Sequence, residues 1–363
     1  MRTCLNYFSI AKIPNKKAHT IQILKMCDAL SSKFNVKLIC GYSKFKNIKK
    51  KFNLKNKFQI NNIIVSKSRV FNIIIKFFYI LYFKSNKEDI VFTRDVHFAF
   101  FGKLFYKNIF LELHQTYLEK NNLSYFLLKN LFKIKKIKII FISKELFKIY
   151  KRRIGKPISY TIAHDSSDDL YAQRSFKHII KNKKLSVGYC GHLYKGRGME
   201  LIVELAKKEK NIIFNILGGF INDKKKIIDS MKIPKNVNFF PYKYYNNVGK
   251  FLLSNDILIA PYQKKLGNYG EINTAKYMSP LKIFEYMSSK KAIISSNHKV
   301  LREVLKNNKN SILCDPNNLS HWAMAIKKLK NKKNREYLAK NAYSDFKKNF
   351  TWEKRVLKIL NEK

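Results

Sequence analysis

Acidic residues are scarce in this chain: 24 Asp plus Glu stand against 74 Lys plus Arg over 363 residues, a formal charge of +50. Such a surplus attracts polyanions of several kinds, including nucleic acid, anionic lipid headgroups and phosphorylated substrates. The lysines, however, run through the whole sequence rather than along one stripe, and Asn, Ile, Phe and Tyr are inflated with them. That pattern is what a compositional bias of the gene toward A and T produces. Glycine and proline are also few, 12 and 7, beside a 46% hydrophobic content. A disordered or low-complexity polymer is thereby excluded, and a sizeable core can be buried. The five cysteines (Cys4, Cys27, Cys40, Cys190, Cys314) include no C-x-x-C pair. Three of them sit in apolar runs that read as strands, so free buried thiols are expected and no zinc site is suggested. Long hydrophobic runs are missing too. The longest, Phe71 to Phe83, contains Lys76 and falls short of the ~20 residues of a spanning helix. The N-terminus, MRTCLNYFSIAKIP, is interrupted by Asn6 and Lys12 and reads as a first strand rather than a signal peptide.

What is present is alternation. Short β-rich runs and longer helical patterns follow one another, the signature of parallel α/β layers. Strands are expected at Cys4 to Ile10, Val36 to Cys40, Ile63 to Ser66, Asp89 to Thr93, Ile109 to Leu113, Ile137 to Ile142 and Ser159 to Ala163. A helix is expected from Ala18 to Ser32. The pattern dissolves over Asp165 to Lys184, which marks a domain boundary. A second series follows at Leu185 to Cys190, Ile212 to Leu217, Val237 to Phe240, Asp256 to Ala260, Ala292 to Ser295 and Ser311 to Cys314. Two doubly wound sheets bind ligands at their strand carboxyl ends, which favours a cleft between domains.

Three segments carry candidate chemistry. In SPLKIFEYM, Ser279 suits an N-cap and Pro280 the first helical position. Pro280, Ile283, Phe284 and Met287 form an apolar stripe, while Lys282 and Glu285 lie on the opposite flank. The helix N-terminus and Lys282 suit a phosphate, and Glu285 could accept from a ribose diol. In GYCGHLYKGRGMELI, a glycine-rich turn lets backbone approach a ligand, a second helix N-terminus faces it, and Lys195 and Arg197 add charge. In FLELHQTY, His114 directly follows a strand, where catalytic groups of α/β domains sit.

SPLKIFEYM followed by SSKKAIISSNHKVLREVL resembles the donor-site motif of glycosyltransferase family 4, the group 1 glycosyl transferases with the GT-B fold. The resemblance extends from AHTIQILKMCDAL to TWEKRVLKIL. It implies an α/β GT-B architecture of two Rossmann-like domains, 1–170 for the acceptor and 180–345 for the nucleotide-sugar. Residues 346–363 would form a C-terminal helix packing back toward the first domain. The implied reaction is retaining transfer from a nucleoside-diphosphate sugar to a glycan or lipid-linked acceptor, in bacterial surface polysaccharide synthesis. The resemblance implies donor contacts from Gly191, Lys195, Arg197, Ser279, Pro280, Leu281, Lys282 and Glu285, with His114, Arg197 and Lys282 catalytic and His19 on the acceptor side. Arg197 falls at the family's lysine position and His192 at its arginine position, so either Lys195 or His192 completes the phosphate clamp. The family's second glutamate is Tyr277 here, and Glu271 is out of register, which leaves sugar recognition to other groups of the loop 267–277.

No metal and no cofactor are expected, since no metal cluster or paired aspartate motif is evident. A basic stripe or aromatic platform for nucleic acid is likewise not visible, and nucleic acid is not an expected partner. The rival readings are a sugar-nucleotide epimerase on the same fold and a basic nucleic-acid-binding protein. The runs Phe71 to Lys84 and Tyr125 to Ile140 mix aromatic, aliphatic and Lys residues as interfacial helices do. An anionic membrane surface is therefore a candidate partner, for a cytoplasmic protein on the inner face of the plasma membrane.

Overall fold

The structure is a computed structural model describing residues 2–15, 17–42, 47–66, 68–86, 88–117, 123–173, 184–219, 225, 227, 229–266 and 273–361. Glu271 and most of the loop 267–277 lie outside the described residues. The chain divides into two compact units, Met1–His164 with Arg355–Lys363, and Asp165–Lys354.

Among the described residues, the first unit is built on a seven-stranded parallel sheet: β1 Cys4–Ile13, β2 Asn35–Tyr42, β3 Gln59–Asn62, β4 Ile90–Thr93, β5 Asn108–Leu113, β6 Ile137–Phe141 and β7 Tyr160–Ile162, in the order β3-β2-β1-β4-β5-β6-β7. The central strands are runs such as IVFT, buried at every position, because helices cover both faces of the sheet. The second unit repeats the plan with six parallel strands, β8 Ser186–Cys190, β9 Ile213–Leu217, β10 Val237–Phe240, β11 Ile257–Ala260, β12 Ala292–Ser296 and β13 Ile312–Cys314, ordered β10-β9-β8-β11-β12-β13. Its core packs Trp322, Phe214, Ile259 and Ile294 on one side and Phe284, Tyr286, Phe251 and Phe346 on the other.

In each sheet the winding direction reverses at one pair of neighbours, β1 and β4 in the first unit and β8 and β11 in the second. Loops leaving adjacent strands at such a point diverge to opposite faces and open a crevice beyond the strand ends. His19 and Arg94 follow β1 and β4, and Gly191 and Tyr262 follow β8 and β11.

Two expectations need correction. The third strand is not Ile63 to Ser66 but the preceding Gln59–Asn62, a polar edge strand exposed or half-buried throughout. At a sheet edge the backbone pairing does not require apolar side chains, so the apolar run beside it drew the assignment. The run Tyr125 to Ile140 is not one helix: a helix covers Leu123–Leu131, and the rest turns into β6. No helix among the described residues is long and apolar enough to cross a membrane.

The first unit also holds the chain's end. Arg355, in the helix Trp352–Leu360, places its Nη1 3.1 Å from Glu112 Oε2 on β5, with side chains 1% and 0% exposed. Its Nε donates to His164 O at 2.8 Å and its Nη2 to Ala163 O at 3.3 Å. Breaking a buried pair leaves a naked charge in the interior, at about 3–5 kcal/mol. Arg355→Ala is therefore expected to lower the unfolding free energy of the first unit by about that amount in urea titrations, whereas Lys354→Ala beside it leaves the midpoint unchanged.

Candidate functional site

In the second unit, β8 ends at Cys190 and the chain enters Gly191 at φ +148. A Cβ at Gly191 would lie 2.7 Å from the Nζ of Lys282, so only glycine lets that ammonium settle against the backbone. Seven residues on, Gly198 (φ +82) caps the helix Met199–Lys208 where a Cβ would strike Pro261 O at 2.1 Å. The turn thus lies flat against the loop after β11.

Lys282 sits in the first turn of the helix Leu281–Ser288. Its Nζ is 4.0 Å from the ring centroid of Tyr189 and 5.1 Å from that of Tyr262. That nitrogen is buried and has no hydrogen-bond partner among the described residues. Burial first, and then the neighbouring Arg197 charge, push its pKa from 10.5 down to about 7. Arg197 shares the Tyr262 ring, its guanidinium carbon 5.6 Å from the centroid. Ring faces attract cations but accept no strong hydrogen bond, so the lysine donors stay unsatisfied. A polyoxygen anion supplies both the acceptors and the opposite charge.

Glu285, one turn further along, is 7% exposed, and burial raises its pKa to about 7. Lys282 opposes that rise and Asp168 adds to it. Tyr286 pins the same helix to the strand ends: its hydroxyl accepts from Cys190 N at 2.9 Å and donates to Ile259 O at 3.3 Å. The helix start differs from expectation by one residue. Pro280 (ψ 123) is the N-cap and Leu281 the first helical residue. The Ser279 hydroxyl, expected to cap, instead accepts from Asp165 N at 2.8 Å, so it is committed to the start of the second unit.

The structure brings Gly191, Arg197, Lys282 and Glu285 together and sets others apart. Lys195 is exposed and lines a surface cavity of about 990 Å³ with Glu200, Glu204 and Lys264, to which neither Arg197 nor Lys282 contributes. The His192 ring stacks on Tyr194 at 4.8 Å. Leu281 is half-buried, and Tyr277 is buried at the end of the short turn Thr274–Lys276. Tyr189, Tyr262 and Tyr286 were not singled out from sequence. Their signal was present, a tyrosine at each strand end or binding helix in otherwise aliphatic surroundings.

In the first unit, His114 directs Nε2 at the buried Glu112 carboxylate. Gln22 Nε2 donates to the same carboxylate at 2.6 Å, and Arg94 Nη1 donates to Gln22 Oε1 at 3.2 Å. Burial and then Arg94 lower the His114 pKa to about 4, so the ring is neutral near pH 7. A neutral ring facing a carboxylate through Nε2 must carry its proton there, which leaves Nδ1 as an acceptor. His19 is also held low, about 4, by burial and Arg94, with Asn15 Nδ2 3.1 Å from its Nε2. Glu112, Gln22 and Arg94 carry no motif signature and emerge only from the fold.

Residues 172–345 match the family described as glycosyl transferases group 1. No curated protein matches the sequence. Solved structures share the fold over 99% of this chain. They include a glycosyltransferase from Rickettsia africae (14% identity, TM-score 0.76, 97% of that chain) and sucrose-phosphate synthase from Thermosynechococcus elongatus (13%, 0.74, 98%). Anabaena HepE in complex with UDP is a third (10%, 0.70, 100% of that chain).

An anion held at Lys282 would need the ammonium form, which is lost as pH rises through about 7. Affinity for a nucleoside diphosphate is expected to fall above that pH, approaching about tenfold per unit, while Lys282→Arg, charged throughout, flattens the profile. Calorimetric titrations across neutral pH check this, and a flat wild-type profile contradicts it.

Proposed function

We propose that this chain, which has the GT-B fold and matches the group 1 glycosyl transferases over residues 172–345, moves a sugar, with retention of anomeric configuration, from a nucleoside-diphosphate sugar to a glycan or lipid-linked acceptor. The observation that carries this reading is the buried, acceptor-less Lys282 ammonium beside Arg197, at the carboxyl edge where the second sheet reverses.

Glycosyl transfer puts positive charge on the sugar ring and negative charge on the departing phosphate in the transition state. Fixed cations and helix N–H groups aimed at that phosphate supply the largest share of the rate enhancement. Lys282 and Arg197 fill that role. Diphosphate charge also restores the Lys282 proton that burial disfavours, so the site is most positive when the leaving group is most negative. Glu285, on the same helix, takes the ribose diol as a hydrogen-bond acceptor. Neutral His114, its tautomer fixed by Glu112, offers Nδ1 to a hydroxyl of the transferred sugar or acceptor. The reading includes a place in bacterial surface polysaccharide synthesis, at the cytoplasmic face of the plasma membrane where lipid-linked acceptors lie.

Glu285→Ala and Arg197→Ala are each expected to lower transfer by about 10² or more with circular dichroism and unfolding midpoint retained. A thermal-shift screen of UDP-, GDP-, ADP- and CMP-sugars first identifies the donor, since a ligand bound only by the native state raises its apparent stability. Near-normal turnover in both variants contradicts the assignment.

A further inference from the structure

The helix Arg69–Tyr82 of the first unit is inside out. Its mid-helix charge, Lys76, is only 5% exposed and reaches 2.7 Å to Asp95, which itself caps the helix Val96–Phe105 by accepting from His97 N and Phe98 N. That ion pair fixes the rotation of the helix. On the opposite side stand Val70 (68% exposed), Phe71 (50%), Ile74 (49%), Phe78 (60%) and Tyr82 (79%), with Leu81 beside them. At 100° per residue these six span an arc of about 120°, a continuous apolar stripe with one aromatic or aliphatic group per turn.

Two neighbouring helices extend the face. Phe77 packs edge-on against Phe101 at 5.5 Å, and Lys103 of that second helix donates to Asn130 of the helix Leu123–Leu131 at 2.8 Å. Leu104 and Phe126 are exposed on these two helices. None of the three helices contains an aspartate or glutamate, while Lys103 and Lys129 lie on the second and third of them. The turn that follows exposes Lys133, Lys135 and Lys136.

We infer that this face docks on an anionic lipid surface, with Phe71, Ile74, Phe78 and Tyr82 entering the headgroup and acyl boundary and the surrounding lysines meeting lipid phosphates. Charge complementarity selects this occupant. A face with apolar side chains, lysines and no carboxylate is repelled by nothing on an anionic bilayer, and long aromatic side chains favour its interface. A second copy of this chain would bring the same positive charge against itself. The inference goes beyond the sugar chemistry and needs neither donor nor acceptor, so it stands or falls apart from the transfer reading.

The test sediments the full chain with phosphatidylcholine vesicles, with and without phosphatidylglycerol, at low and physiological salt. Wild type is expected to partition to the phosphatidylglycerol vesicles, and Ile74→Ser/Phe78→Ser to lose about tenfold or more of that partition with its unfolding midpoint unchanged. Phe78→Trp is expected to be quenched by brominated acyl chains in the same vesicles. Absence of wild-type binding overturns the inference. So does equal binding by the double variant, which would mean adsorption of a protein of formal charge +50 by charge alone. A concentration-dependent dimer that the double variant abolishes, without vesicle binding by wild type, also overturns it and makes the face a protein interface.

Discussion

Two positive charges held in one desolvated corner govern the second unit. Lys282 and Arg197 both lie against the Tyr262 ring, and the Arg197 charge, after burial, makes the Lys282 ammonium harder to keep. An ordinary protein interior would place a carboxylate between them. Here Glu285 is the nearest acid on the helix, and its own burial pushes it toward the neutral form. The surrounding features follow from keeping this corner open. Gly191 has no side chain to displace the ammonium, Tyr286 ties the helix to the ends of β8 and β11, and Ser279 is spent on Asp165 rather than on the helix N-terminus. Such an arrangement leaves a buried cation without an acceptor, and under the proposed function a nucleoside diphosphate would supply both the charge and the acceptors.

The first unit solves the reverse problem. Its buried carboxylate, Glu112, is over-supplied with donors: His114, Gln22 and Arg355 all converge on it. Arg355 comes from the final helix, so the last residues of the chain help decide the orientation of a histidine at the end of β5. The histidine itself is kept neutral, suited to accepting a hydrogen bond rather than to donating charge.

Most of the architecture was legible because strands buried on both faces must be apolar throughout, and twelve of the thirteen observed strands overlap the expected runs. The exception, Gln59–Asn62, is polar because it lies at a sheet edge. Spacing alone located Lys282 and Glu285 on one helix, but it could not show that both are buried, nor that Tyr189 and Tyr262 flank the lysine. The sequence left Lys195 and His192 open as the partner of Arg197; Arg197 reaches the Tyr262 ring, whereas Lys195 lines a surface cavity to which Arg197 does not contribute. Periodicity could not orient the run Phe71 to Phe83, because the partner that turns Lys76 inward, Asp95, is distant in sequence.

The central claim concerns the protonation of one amine. Nitrogen-15 NMR of the lysine side chains, with Lys282→Arg to assign the signal, measures it in the free protein and with a saturating nucleoside diphosphate. A free value near 7 that rises by at least about one unit in the complex is expected. A Lys282 pKa at the ordinary value of 10.5 and unchanged by the ligand would contradict it.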